Sequence, residues 1–240
     1  MLYPEVLSGQ EQASVPHVQE FAERKRGYIM RMYTKGKKLL PQAAKILKRY
    51  QLPPELSLLL PLESAFQPQA TSSAGAFGYW QFMDEVAAEF GLRYVPHYST
   101  AERNRMRKLN PHYADSLFKS LAKATDDRAH FTKATHAAAR YLKDRWRNLH
   151  GDILLVVASY NCGVGNVWQA LAASGKTNPT FWDIHDKLPR ETQLYVKNFI
   201  ALNVVFANYA TFLRNEMRFV EEEIELPAEI MEPDVSITSR

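Results

Sequence analysis

The sequence predicts a mainly α-helical fold with at most one small hairpin, and three observations carry that expectation. Apolar residues recur at helical spacing in several segments, most clearly over 131–148 and 190–213. Proline and glycine separate those segments, at 53–54, 91, 110–111, 151 and 189. The stretch that reads as loop or hairpin by its serine, alanine and glycine content is 67–83, and no internal repeat or low-complexity tract is present.

Residues 1–16 hold Pro4, Gly9 and Pro16 without periodicity and read as an extended lead-in to a domain spanning 17–220. Over 17–33, Val18, Phe21, Tyr28, Ile29 and Met32 approximate helical spacing. A second helix is expected after Gly36, to about position 50, with Leu39, Leu40, Ala43, Ile46 and Leu47 on one face. Lys37, Lys38, Lys45, Lys48 and Arg49 read as its solvated side. Pro53 and Pro54 stop one helix and start the next, since proline is tolerated in a first turn. The run 55–63 is apolar on nearly all sides and should be a buried central helix. Pro61 within it should kink or end the helix near Glu63.

Beyond the 67–83 loop, 84–90 reads as a helix ended by Gly91. Signals over 94–108 are mixed, and Asn110-Pro111 makes a break. Segment 112–124 looks helical, and 131–148 is a clearer helix. The apolar run 152–160 fits either a strand or a buried helix by periodicity alone. A turn over 161–166 and a helix over 167–173 follow. Pro189 precedes a long helix over 190–213, with Tyr195, Phe199, Leu202 and Phe206 on its buried side. Glu221, Glu222, Glu223 and Glu225 mark an acidic tail over 221–240.

Composition narrows the function classes. With 240 residues, 46% hydrophobic and 23% charged, the chain can build a core without disulfides or metals. A single cysteine, Cys162, excludes an internal disulfide and a cysteine-based zinc site. The seven histidines show no ligand spacing, and no glycine-rich phosphate loop follows an expected strand. No metal and no cofactor are therefore expected. A net charge of +4 is compatible with an anionic polymer such as cell-wall glycan and too weak to argue for nucleic acid. No apolar run is long enough to cross a membrane, and no signal peptide is visible at the N-terminus. The chain reads as cytosolic, or as a mature or trimmed form. Oligomeric state cannot be read from it.

Glu63 is the residue with the most to offer chemically. It sits among Leu60, Leu62, Ala65 and Phe66, where ionisation is opposed by desolvation and a proton is held towards neutrality. The same glutamate could instead cap a neighbour or pair with a lysine, and the residues alone leave both open.

Several motifs in order resemble one family. Glu63-Ser64-Ala65-Phe66, then Pro68, Ala70, Ser72, Gly75-Ala76 and Gly78-x-Trp80-Gln81-Phe82-Met83, resemble the soluble lytic transglycosylase family, in its membrane-bound-D-type branch. Ala138-Ala139-Arg140-Tyr141-Leu142 is similar to the family's helix after the groove. Ser159-Tyr160-Asn161-Cys162-Gly163-x-Gly165 resembles its A-Y-N-A-G-x-G turn, and Leu188-Pro189-Arg190-Glu191-Thr192-x-x-Tyr195-Val196 its L-P-x-E-T-x-x-Y-V segment. The likeness runs over about 17–213.

The resemblance implies a lysozyme-like fold with a loop or hairpin region forming a glycan groove. It implies cleavage of the β-1,4 bond between N-acetylmuramic acid and N-acetylglucosamine in peptidoglycan strands, at a periplasmic or wall-secreted location. By that match Glu63 is the sole catalytic acid/base. Ser72, Gln81, Tyr160 and Asn161 line the groove, with Cys162 in the same turn, and Glu191 and Tyr195 complete it. A hydrolytic lysozyme using the same acid, or a non-catalytic glycan-binding module, are the alternatives. Glycosidases commonly pair two carboxylates, and substrate-assisted catalysis by the sugar's acetamido group is the exception a single acid requires. Asp84 and Glu85 have no evident route to the scissile bond.

The sequence departs from the family at three places. Cys162 and Ser159 stand where alanines are expected, so Cys162 either packs inward or alters preference at the N-acetyl position, for example towards de-N-acetylated glycan. An insertion over 95–125, with Arg103, Arg105, Arg107, Lys108, Lys119 and Lys123, replaces a short loop and could be a lid, a specificity wall or a surface subdomain. No sugar-binding LysM repeat follows, so wall anchoring is expected from the groove or from a part outside this sequence.

Overall fold

The computed structural model describes residues 3–219, and the expected acidic tail lies outside the described residues. Those residues form helices and loops with no strand; isolated antiparallel bridges join Thr71 to Phe77 and Phe77 to Phe82. The small hairpin is thus present as a tight loop.

The first two helices are α1 (Glu11–Arg24) and α2 (Arg26–Arg49). The segment 1–16, expected to be extended, is helical from Glu11 onward and carries Leu7 into the core. Pro16 lies inside α1 and Pro41 inside α2, each removing one backbone donor without ending its helix. The break expected at Gly36 falls at Lys25 instead. Gly36 has a different reason: a Cβ there would meet Leu40 Cδ1 at 2.7 Å and Phe66 Cζ at 3.0 Å. It makes room for a ring to lie against α2.

The buried run splits into a 3-10 turn, Pro54–Leu58, and the short helix α3 (Leu59–Ser64). Pro61 falls in the first turn of α3, where its missing N–H would have had no helical partner, so it does not kink the helix. The chain is turned instead by two consecutive left-handed residues, Ala65 (φ 50°) and Phe66 (φ 62°). Glu63 is thereby placed in the last turn of α3.

After the 65–83 loop come α4 (Asp84–Glu89) and a helical hairpin, α5 (Thr100–Leu109) and α6 (Pro111–Leu121). Ser99 and Glu102 form a capping box on α5, and Asn110 caps α6 with Pro111 at its first position. The segment 95–125, expected to be an insertion, folds around this hairpin. Ala114 is the one buried residue of its two helices.

The core helices are α7 (Phe131–Asn148), α8 (Ile153–Cys162), α9 (Val164–Ala172) and α11 (Arg190–Ala207), with the short α10 (Phe181–Ile184) between the last two and α12 (Tyr209–Leu213) at the end. The ambiguous run 152–160 is helical because Asp152 Oδ1 accepts from the N–H groups of Leu154 and Leu155 at 2.9 and 3.0 Å, capping a start that strand pairing does not need. Residues 153–159 are all buried. The expected 161–166 turn contracts to Gly163 alone (φ 81°), so Tyr160, Asn161 and Cys162 occupy the last helical turn of α8. The expected 190–213 helix breaks at Asn208, whose side chain donates to the Val204 carbonyl at 2.8 Å and competes with helix continuation. Helix α8 packs against α7, α9 and α11, while α11 also packs against α1.

Candidate active site

The site forms where the C-terminal ends of α3 and α8 meet the first two turns of α11. Tyr195 Oη donates a hydrogen bond to Glu63 Oε1, across 132 residues of sequence. Burial pushes the Glu63 carboxyl up to about 7; the Tyr195 hydrogen bond opposes that rise and the nearby Glu191 carboxylate adds to it. Burial, with the Glu63 charge behind it, raises the hydroxyls of Tyr160 and Tyr195 well above their ordinary value. Both tyrosines therefore remain donors at neutral pH. Glu63 is a carboxylic acid that can give up a proton near neutrality and has a hydroxyl ready to stabilise the carboxylate left behind.

The expected site residues divide into two groups. Glu63, Tyr160, Glu191 and Tyr195 come together electrostatically. Asn161 joins them through α11: Thr192 Oγ1, on a fully buried residue, donates to Asn161 Oδ1 at 2.7 Å. Tyr160 Oη donates to the Trp80 carbonyl at 2.7 Å, and its ring meets Tyr141 edge-on at 5.4 Å. Tyr160 thus ties α8 to the loop. Cys162 Sγ turns back to the Ala158 carbonyl at 3.3 Å, and Ser159 Oγ closes on the Val156 carbonyl at 2.7 Å. Both side chains bond within their own helix; Ser159 is fully buried and Cys162 partly exposed.

Ser72 and Gln81 belong to the loop's internal frame. Ser72 Oγ accepts from the Ala76 N–H at 3.0 Å, while Gln81 Nε2 donates to the carbonyls of Ala70 and Gly78 at 3.0 and 2.9 Å. Gln81 itself is left-handed (φ 49°). Trp80 is fully buried and its indole N–H donates to Thr135 Oγ1 on α7 at 3.0 Å. Ser64 Oγ, beside Glu63 in sequence, donates to the Tyr79 carbonyl at 2.8 Å. Acid and loop are therefore held as one unit.

Arg128, to which the sequence reading assigns no role, anchors that unit. Only 1% exposed, it donates to Asp84 at 2.6 Å, Asp126 at 2.7 Å and the carbonyls of Phe82 and Val95 at 3.0 Å. Asp84 is held in this ion pair. The Arg128 carbonyl accepts from the Tyr79 N–H at 3.3 Å, and a Cβ on Gly78 (φ 85°) would lie 2.2 Å from that oxygen. Only glycine allows the loop to close on Arg128. The clue available in sequence was an arginine directly after two aspartates, followed by a helix.

A cleft of about 670 Å³ adjoins the loop on its hairpin side, lined by Gln69, Thr71, Phe77, His97, Arg103 and Lys133 among others. Glu63 is not among its lining residues. Arg103 of the hairpin thus borders a cavity next to the loop.

Comparison with known proteins adds a family. The Transglycosylase SLT domain family matches residues 42–108 and 106–181, two pieces that meet inside α5. The membrane-bound lytic murein transglycosylase D of Escherichia coli K12 is 30% identical over 188 residues, covering 77% of this chain and 35% of that protein. The same figures hold for its counterpart in Escherichia coli O6:H1. The chain thus spans about a third of the length of these curated relatives. Among solved structures, an inactive mutant of the lytic transglycosylase Slt from Pseudomonas aeruginosa aligns with a TM-score of 0.47 and 22% identity, over 78% of this chain and 25% of that one.

Proposed function

Because the chain belongs to the Transglycosylase SLT domain family, we propose that it cleaves the β-1,4 bond between N-acetylmuramic acid and N-acetylglucosamine in peptidoglycan, as a lytic transglycosylase. One observation carries the reading: a single carboxyl, Glu63, held up to about 7 by burial and hydrogen-bonded by Tyr195.

The proposed sequence of events uses that carboxyl twice. Protonated Glu63 gives its proton to the oxygen of the leaving sugar as the bond breaks. The acetamido oxygen of the muramic residue supports the oxocarbenium-like centre, in place of a second protein carboxylate. Glu63, now ionised and stabilised by the Tyr195 hydroxyl, takes the proton of the muramic C6 hydroxyl as that oxygen closes on C1. A 1,6-anhydro sugar leaves, and Glu63 is again protonated. Glu191 is exposed and one helical turn before Tyr195, where its charge helps keep Glu63 protonated before the first step.

Ser72, Gln81, Tyr160, Asn161 and Cys162 are proposed to border the bound glycan, with Gln81 and Tyr160 acting chiefly by holding the loop in shape. The substrate is a wall polymer, so a periplasmic or wall-facing location is part of the proposal. Among the described residues, no helix is long and apolar enough to cross a membrane.

Mass spectrometry of the products tests the assignment. Anhydro-muramic ends, lighter than hydrolysed ends by one water, are expected from purified sacculi. Hydrolysed ends alone would replace the transglycosylase with a muramidase.

A further inference from the structure

A second cavity lies at the far end of α8 from Glu63. It measures about 560 Å³ and is lined by Asn148, His150, Asp152, Trp168, Lys176 and Asn178, with Leu155 and Leu171 among its apolar walls. Helix α8 has 10 residues, so the two ends of this element stand about 15 Å apart.

Two features of the cavity are unlike ordinary surface. Trp168 is 48% exposed, whereas Trp80 is fully buried. The rim is built in advance: Asp183 accepts from Lys176 Nζ at 2.5 Å and from the Thr180 N–H and hydroxyl at 2.8 and 2.9 Å, fixing the 176–180 loop. His150, also in the lining, is left-handed (φ 53°) in the turn that ends α7, its N–H donating to the Arg147 carbonyl at 3.4 Å.

The charges in the cavity are already spent. Asp152 caps α8, and Lys176 is paired with Asp183. Asn148, Thr177 and Asn178 line it with amide and hydroxyl groups. None of these three side chains takes part in a hydrogen bond with another described residue. A ligand matching this set is neutral, rich in hydroxyls and apolar on one face. A hexopyranose has that character, with C–H groups on its faces and hydroxyls around its edge, and Trp168 supplies a flat amphipathic surface. The volume is within the range of sites for small ligands.

We propose that this cavity is a second carbohydrate site, which holds a sugar of the glycan away from the bond being cut. The identity of the polymer rests on the proposed function; the recognition rests on the cavity. Occupying both ends of α8 would keep the enzyme on a long strand between cleavage events.

Glycan strands freed of their peptides test it, with Trp168→Ala introduced into the Glu63→Gln protein so that binding is read without cleavage. Retention on pelleted strands should fall by about tenfold, as for truncation of a central tryptophan anchor, and Trp168→Phe should recover part of it. Asn178→Ala should weaken retention in the same direction. Retention unchanged by Trp168→Ala overturns the proposal. So does retention that requires the stem peptides, which would make the ligand a peptide. An equal loss in turnover of a soluble tetrasaccharide by the Trp168→Ala enzyme also overturns it, by placing Trp168 in the catalytic groove. Failure of the unmutated enzyme to release anhydro products would count against the proposed function instead, since retention is measured without turnover.

Discussion

Glu63→Gln should separate catalysis from stability, with the two moving in opposite directions. The substitution keeps the shape of the side chain and an oxygen for the Tyr195 hydroxyl, and removes only the ionisation. In the folded chain the Glu63 carboxyl is raised from 4.5 to about 7, by burial first, then by the Glu191 charge. Below pH 4.5 it is protonated in both folded and unfolded chains. Between 4.5 and 7 the unfolded chain ionises while the folded chain keeps its proton, so stability falls with rising pH, and above 7 the loss is complete. At about 1.4 kcal/mol for each pH unit between the two values, the loss amounts to about 3 kcal/mol. Glutamine does not titrate, so the variant should gain about 3 kcal/mol relative to the unmutated protein between pH 4 and pH 8. For a chain of this size that is a difference of roughly 6–12 °C in melting temperature. Thermal melts of both proteins by circular dichroism across that range measure it directly. Turnover of sacculi should fall by about two to four powers of ten. Parallel pH–stability curves would refute the desolvated-acid argument, and near-normal turnover would remove Glu63 from the proton-transfer role.

Other substitutions around the acid follow from the same electrostatics. Tyr195→Phe removes the hydrogen bond that opposes the rise, so the alkaline limb of the pH–rate profile should move to higher pH as turnover falls. Glu191→Gln removes a like charge, so that limb should move to lower pH with the fold intact. Shifts in the same direction for both variants would break the assignment of causes. Gly78→Ala should lower the urea midpoint and cost activity, because its Cβ would lie 2.2 Å from the Arg128 carbonyl at a left-handed φ. A Gly78→Ala protein as stable as the original would show that the loop does not close on Arg128.

Local periodicity and capping residues made most of the helices legible. The 131–148 helix has the bounds its apolar spacing suggests, and Gly91 ends α4 as a left-handed glycine should. Errors arose where a residue's local meaning was overruled by packing. Gly36 reads as a break and is instead a contact surface for Phe66, so α2 continues through it. The 161–166 stretch reads as a turn, yet all of it but Gly163 is helical, and Asn161 and Cys162 bond to Thr192 and the Ala158 carbonyl at the end of α8. Propensity is a weak prior against tertiary contacts of this kind.

The candidate site was legible in its parts but not in its wiring. An acid in an apolar run allows a raised pKa, and the residues alone equally allow a cap or a lysine pair. What burial cannot specify is the sign and size of the neighbours' influence, because Tyr195 and Glu191 lie more than 120 residues away in sequence. The two act against each other on Glu63: the hydroxyl favours the carboxylate and Glu191 favours the acid. A group that must donate a proton and then accept one needs both states within reach, so a pair of opposed influences suits it better than burial alone. Asp84 carries the complementary lesson. It is the carboxylate nearest the loop in sequence, but Arg128 holds it at 2.6 Å, and that ion pair fixes the loop without competing for the proton. Under the proposed function the fold thus spends one carboxylate on architecture, leaves Glu191 exposed to bias the equilibrium, and keeps the partly buried Glu63 for the chemistry.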